Sequence, residues 1–473
     1  MKYVIGQGNV TQSARQLAIV GEYDVVVCGG GMAGFGAAVA AARKGCKTLL
    51  VERESALGGL ATIGLVNIPL DLASGIGKEM LEHLDAVDGH WHRNSDPEKH
   101  KLILDRILSA SGADLLLVSY VVDTIVENDT IKGVVLENKS GRQVVLGKRF
   151  IDCTGDADVA FFAGAECMAG RASDGKHQAC SLEFRLGGVA WDESLDSDLK
   201  KNDPSWIDLI ARSVDNSELP YMIENHLNWV THLPGRPRHC GKDELSFCIA
   251  HSRNCKPLSA KDLTRMYLEG REQADILSRF IRRNVPGFEN SYLIDTATLL
   301  GVRESRRIVG EYVLKSLDSA RGERFADAIT STHHHYDLHN PDGPGNIKWA
   351  EEIIDGKVCY VSSHNGRGSW PPPCGYENMT DGWGRTDAAR KFRENPCDIP
   401  YRSLLPVKLE NLLAAGRCLS SEFMAQAASR LVLTCLNMGQ AAGTAMALSL
   451  QSKLAPRKID VTKLQQILAV DRQ

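Results

Sequence analysis

Apolar positions are grouped along this chain in two ways, and each predicts an element. Unbroken apolar runs with β-branched residues, Tyr23–Cys28 and Thr48–Val51, read as buried strands. Between them lies Phe35–Lys44, an Ala-rich stretch that reads as a helix ending at Gly45. Further on, Asp114–Tyr120, Thr124–Val126, Ile131–Leu136 and Gln143–Leu146 are short β segments. Asn128-Asp129 and Lys139-Ser140-Gly141 supply turns between them. This pattern predicts a β-meander leading into a strand at Phe150–Asp152. Near the C-terminus another apolar strand, Leu412–Ala415, ends in Gly416, and Met438–Ala445 reads as a helix of small residues. Asp96 and Pro97 are the N-cap and first-turn signals of a helix to about Ala110, and a last helix is expected over Val461–Val470.

The segment joining the first strand to the Ala-rich helix is Gly29-Gly30-Gly31-Met32-Ala33-Gly34. Gly29 allows the tight turn, Gly31 lets a pyrophosphate approach the backbone, and Gly34 lets the helix pack on the strand. The N-terminus of that helix, at Met32 and Ala33, presents free N–H groups to phosphate. The second strand ends on Glu52, 23 positions past Gly29, where a carboxylate can accept from a ribose diol. Strand, glycines, helix, strand and acid together specify a dinucleotide-binding βαβ unit. Leu57-Gly58-Gly59-Leu60-Ala61-Thr62 follows closely, and its Gly pair lets backbone lie against an extended cofactor.

The other global features narrow the class without changing it. A net charge of −4 gives no electrostatic reason to expect nucleic acid or a membrane surface. There is no secretory h-region at the start and no apolar run of membrane-span length, so a cytoplasmic location is expected. The thirteen Cys are scattered, with no C-x-x-C pair, which favours reduced thiols over a disulfide, zinc or iron–sulfur framework. No metal site is expected.

With Gly301–Glu311, Asp398–Pro406 and Ala415–Cys418 through Gly443, the chain resembles the bacterial FAD-dependent oxidoreductases of the glutathione-reductase-like flavoprotein superfamily. It is more distantly similar to succinate dehydrogenase and fumarate reductase flavoproteins. The resemblance implies an α/β fold: a Rossmann-like FAD-binding domain with an inserted β-meander and a separate α+β substrate domain. It implies FAD as cofactor, with Gly29, Gly31, Gly34 and Glu52 at the ADP half and Arg53 and Gly59 flanking the pyrophosphate and ribityl chain. Leu60 and Ala61 continue that wall. Thr154, Gly155 and Asp156 form the strand end beside the ADP. Arg417, after Gly416, stands where the succinate-dehydrogenase-like relatives carry an acid. A helix beginning near Asn437, with Gly439, Gln440 and Ala441, would aim its N-terminus at the flavin pyrimidine edge.

The expected FAD-binding domain is discontinuous, over 22–82, 100–165 and 405–452, with a substrate domain over 166–404 and a tail helix in 453–473. A flavin exchanges a hydride at N5, so the protein must place substrate and supply an acid–base group. Candidates are His333 and His335 in the His-rich run Ser331–His339, and His364; the alternatives are a metal or a polar loop satisfying local backbone. Arg303 and Glu304, at an expected helix start, can bind a substrate carboxylate or hydroxyl, or form an internal ion pair. Arg430 lies just before the small-residue helix, where a guanidinium can clamp a carboxylate. The expectation is therefore an FAD-dependent enzyme transferring a hydride between a small polar organic substrate and the flavin, in the dehydrogenase direction. Alternatives are a reductase of an activated double bond and a non-catalytic flavin-binding protein. The electron acceptor or donor is unspecified, and nothing in the sequence opposes a homo-oligomer.

Overall fold

In a computed structural model, the described residues are 3–69, 71–91, 94–190, 212–219, 230–232, 244–333, 337–339, 341, 348–354, 357–363 and 396–472. The fold is α/β around one mixed sheet. Six strands run in the order Asp114–Leu116, Thr48–Val51, Ala18–Cys28, Gly141–Asp152, Thr130–Asn138 and Ser119–Glu127. A seventh, Leu412–Ala414, also pairs with Gly141–Asp152. The first four in this order and Leu412–Ala414 are parallel, as a Rossmann-like core requires. The last three form the antiparallel meander.

The meander joins the parallel sheet through a shared strand. Gln143–Leu146 and Phe150–Asp152, which read as separate segments, are parts of one 12-residue strand. Its first half pairs antiparallel with Gly133–Asn138, and its last three residues pair parallel with Leu412–Ala414. Gly147 does not end the strand. It is needed within it, because a Cβ there would meet Val26 at 2.8 Å and the Phe150 ring at 2.9 Å. Asp114–Leu116 is also an edge strand of the parallel sheet and not the opening of the meander. Val118, with φ +51°, turns the chain between the two.

Two helices cover one face of the sheet in direct backbone contact. They are Met32–Arg43 and Val432–Ser452. A Cβ on Gly439 would lie 1.9 Å from the Ala33 carbonyl oxygen, and one on Gly443 would lie 2.2 Å from that of Ala37. From the other side, a Cβ on Gly36 would meet the Leu436 carbonyl at 2.6 Å. The two small residues four apart on each helix therefore let the helices cross at backbone distance. The small-residue helix starts at Val432, earlier than the sequence suggests, because a 90° bend at Arg430-Leu431 separates it from Phe423–Ser429.

A second layer is antiparallel. Strands Val230–His232, Leu245–Phe247, Phe184–Gly187 and Tyr292–Thr296 pair in that order. Its core includes Phe184, Phe247, Phe280, Ile281 and Phe288, with Phe280 and Ile281 supplied by the 25-residue helix Ala260–Asn284. Around Arg303 the expected helix is absent. Residues 302–305 form no regular element and lead into the strand Arg306–Ile308, which pairs with Cys167–Ala169. From this non-helical stretch and the strand after it, Arg303 reaches the Ala179 carbonyl, Arg306 the Asp156 carbonyl and Arg307 the Ser421 carbonyl, three different directions. Among the described residues no single helix is long and apolar enough to cross a membrane.

Replacing Gly439 with Val should destabilise the fold by about 3 kcal/mol, the upper range for overpacking a close contact. Urea unfolding followed by circular dichroism measures it; a variant as stable as the parent would mean that the helix crossing tolerates separation.

Candidate cofactor cradle and adjoining cavity

The Gly-rich turn forms an open cradle. Gly29 has φ +100°, and a Cβ there would strike the Cys153 carbonyl at 2.3 Å. Gly34 is excluded from any other identity, since its Cβ would meet the Gly29 carbonyl at 1.7 Å. At Gly31, by contrast, an added Cβ meets nothing within 4 Å. Gly59 across the cradle (φ +55°) would touch only Gly31 Cα, at 3.3 Å. The helix Met32–Arg43 starts here with no side-chain cap, so its positive end faces free space. Met32 and Ala33 are buried in its first turn. A pyrophosphate fits both the space at Gly31 and its polarity.

Glu52 closes one end. Its carboxylate accepts the Gly30 N–H and, at 2.7 Å, the Glu54 N–H. Burial pushes this carboxyl up, with the two backbone donors opposing. Two bonds leave acceptor sites on the carboxylate for a ribose diol. At the next strand end, the Thr154 N–H and hydroxyl donate to Asp152 at 3.0 and 2.7 Å. Gly155 (φ +80°) leaves room for the Arg417 guanidinium, which an added Cβ would meet at 2.8 Å. Arg417 pairs with Asp156 at 2.8 Å, and Ser305 donates to the same carboxylate. Burial pushes the Asp156 carboxyl up, but Arg417 and Ser305 outweigh it and the net shift is downward. Arg53 is half exposed, 3.9 Å from Asp156. The departure at Arg417 is thus an internal ion pair. Gly416 (φ +90°) lets this turn approach Ala33, at 2.8 Å from an added Cβ.

Leu60 leads from the cradle into a cavity of about 110 Å³. Its walls include Glu183, Cys248, Arg303, Asp337, His339 and Arg430, with Leu431 and Val432 at the uncapped start of the long helix. Arg430 donates to the Asp337 carboxylate at 2.9 Å and to its carbonyl at 2.6 Å. His339 Nε2 lies 3.3 Å from the same carboxylate. Burial raises the Asp337 carboxyl, but Arg430 and His339 reverse this and hold it well below the usual range. Burial and Arg303 lower the His339 imidazole to about 3, so it is neutral at physiological pH. Arg303 is only 6% exposed. It donates to the Ala179 carbonyl at 2.8 Å and the Cys248 sulfur at 3.4 Å, and lies 3.3 Å from His251 Nε2. Among the described residues it makes no ion pair, and because burial pushes the Glu183 carboxyl up to about 8, the cavity wall carries excess positive charge below that pH. A larger hollow of about 300 Å³ lies outside the crossed helices, but its Arg43–Glu79 and Lys44–Asp471 pairs, 2.7 and 2.9 Å, neutralise one another.

Of the residues singled out in the sequence, Arg303 and Arg430 are brought to one cavity. His333 is not on its wall; its N–H donates to Asp71 at 3.1 Å. His335 and His364 lie outside the described residues. Gly439, Gln440 and Ala441 stand in the second and third turns of the long helix, on its packed flank, because that helix begins at Val432. Ala61 is buried in the short turn Gly59–Ala61. Glu304 is an internal tie: it accepts from Gly170 at 2.8 Å, from His177 at 2.6 Å and from Arg307. Sequence reasoning did not select Glu183, Cys248, His251, Asp337 or His339. Asp337 and His339 were within the His-rich run. An acid between Leu182 and Phe184 in an alternating strand was the available sign of Glu183.

Residues 24–468 match the family model described as FAD dependent oxidoreductase. A tRNA uridine 5-carboxymethylaminomethyl modification enzyme MnmG from Dichelobacter nodosus is 30% identical over 218 residues, 42% of this chain and 33% of that protein. A thiamine thiazole synthase from Methanococcus vannielii is 34% identical over 152 residues, 29% of this chain and 58% of that protein. The matched segments thus span from a third to somewhat over half of these curated relatives. Among solved structures, a geranylgeranyl bacteriochlorophyll reductase-like protein from Thermoplasma acidophilum aligns over 95% of this chain and 84% of its own, at 14% identity and a TM-score of 0.42.

Glu52→Ala should weaken FAD binding roughly tenfold to a hundredfold, the loss of charge-assisted hydrogen bonds worth about 1.5–3 kcal/mol. Fluorescence titration of apo-protein with FAD measures it; equal affinity would remove Glu52 from the ribose site.

Proposed function

The chain belongs to the FAD dependent oxidoreductase family; it is an enzyme and its cofactor is FAD. On that premise we propose that it transfers a hydride between a small anionic organic substrate held in the cavity and the flavin N5, in the dehydrogenase direction. The observation that carries this reading is Arg303, a buried guanidinium on the cavity wall with no carboxylate partner among the described residues. A buried unpaired charge is costly, and an anionic substrate group would compensate it. Bound FAD supplies a two-electron acceptor at N5.

The protein's own groups divide the remaining work. Arg303 has fork geometry suited to a carboxylate and is anchored by the Ala179 carbonyl. Arg430 is already engaged with Asp337, so it shapes the wall and adds to the field without binding alone. Neutral His339 stands beside that pair as a hydrogen-bonding surface. The uncapped start at Val432 adds the positive end of a 21-residue helix to the same cavity. These features favour negative charge on substrate and on the reduced cofactor alike.

Anaerobic mixing of the yellow enzyme with a panel of hydroxy acids, amino acids, neutral sugars and amines tests the reading. Bleaching of the visible flavin band is expected with a carboxylate-bearing member; bleaching by neutral sugars alone would overturn it. Reoxidation of chemically reduced enzyme by an unsaturated acid, without bleaching by any saturated one, would reverse the direction. Arg303→Lys should then lower kcat/KM for the bleaching acid by roughly a hundredfold, about 2.7 kcal/mol, with FAD content unchanged. An unchanged kcat/KM would remove Arg303 from substrate binding.

A further inference from the structure

Glu183 has no part in the chemistry described so far, yet it stands on the cavity wall. The antiparallel register pairs Phe184 with Phe247, and their rings stack 5.2 Å apart in the core of the second layer. Side chains alternate along a strand, so Glu183 and Cys248, one step beyond that pair, face the opposite way. Both reach the cavity, beside Ser181 and Arg303. The Cys248 sulfur lies 3.5 Å from Ser181 Oγ and accepts from Arg303 at 3.4 Å. Its thiol neighbours the Glu183 carboxyl and favours the ionised form of that group. Glu183 is 4% exposed and makes no ion pair among the described residues. A buried carboxyl of this kind is a functional group or a liability, since burial without a partner is otherwise costly.

We propose that Glu183 is the acid–base residue of the reaction, exchanging the proton that accompanies oxidation at the substrate carbon, with Cys248 positioning its carboxyl. This rests on the reading that substrate occupies the cavity. For a substrate alcohol, the C–H hydrogen leaves with its electron pair to bound FAD. The O–H bond breaks with its proton going to the Glu183 carboxylate, and a C=O bond forms. No further reactant is needed until the flavin is reoxidised.

The surroundings give Glu183 a suitable proton affinity. Burial pushes its carboxyl up to about 8, against the neighbouring Cys248 thiol and Arg303. The titratable and charged groups that share the cavity wall with it are Cys248, Arg303, Asp337, His339 and Arg430, with His251 beside Arg303. His339 stays neutral, Asp337 stays ionised and burial pushes the Cys248 thiol up, so none of these three changes charge near that pH. Glu183 is the base only when ionised. Dehydrogenation is therefore expected to quicken as pH rises toward about 8 and to level off above it.

The test uses holoenzyme, Glu183→Gln and Cys248→Ala, each checked for full FAD content. Stopped-flow reduction of the flavin by the bleaching substrate should rise about tenfold per pH unit below the midpoint. Glu183→Gln should be roughly a hundredfold slower and lose that dependence. Cys248→Ala should keep the step but move its midpoint upward, because the neighbouring thiol that favours the ionised carboxyl is gone. A purely packing role for Cys248 would leave the midpoint in place. In parallel, pH-difference infrared spectra should show a protonated-carboxyl band that vanishes on raising the pH through about 8, and that is missing in Glu183→Gln. This arm needs no substrate. If no carboxylic acid bleaches the flavin but the band is present, the substrate reading falls and the Glu183 titration stands. If bleaching occurs but Glu183→Gln keeps the parent's rate and pH course, or the same infrared band, the inference about Glu183 is overturned.

Discussion

The contact on which both sites depend is the backbone crossing of two helices. Gly439 rests against the Ala33 carbonyl and Gly443 against that of Ala37, at distances no side chain could share. Ala33 is in the first turn of the helix that opens at the cradle, two residues from Gly31. Val432, at the head of the other helix, is on the cavity wall. One close-packed crossing thus sets where phosphate donors stand relative to the cavity. Because packed interiors have little compressibility, a shift there would move both.

Charge is distributed differently in the two regions. Around the cradle the buried ions are paired or backbone-bonded: Asp156 with Arg417, Glu52 with two N–H groups, Asp152 with Thr154. This rigid, satisfied shell suits a permanently held cofactor. In the cavity Asp337 and Arg430 are paired, but Arg303 has no carboxylate partner among the described residues. An incompletely satisfied buried polar site is costly to stability, and functional sites are where such costs persist.

Glu304 explains how the cavity wall is held on the sheet. Next to Arg303 in sequence, it turns the other way and gathers Gly170, His177 and Arg307 around a fully buried carboxylate. Arg307 continues to the Ser421 carbonyl, and Arg306 to that of Asp156 beside the cradle. Adjacent residues of one short stretch thus supply both the cavity and its anchor.

The cradle was legible in the sequence because its chemistry is local. Tight turn, close approach and helix packing each demand Gly at a set spacing within one βαβ unit, and Glu52 follows within the same unit. The meander was legible from alternation and turn residues, although a single sequence could not tell that Gly147 lies inside a strand; that depends on Val26 lying opposite it. The start of the long helix at Val432 was hidden because no Gly, Pro or capping side chain marks the bend at Arg430-Leu431. The cavity needed tertiary structure altogether. Glu183, Cys248, Arg303, Asp337 and Arg430 come from separate stretches of the chain, and only strand register and helix crossing bring them together. The sequence alone determined the cofactor class, since a nucleotide cradle is short-range geometry. Tertiary structure decided which titratable residues share a wall, since their proton affinities are set by burial and by partners distant in the chain.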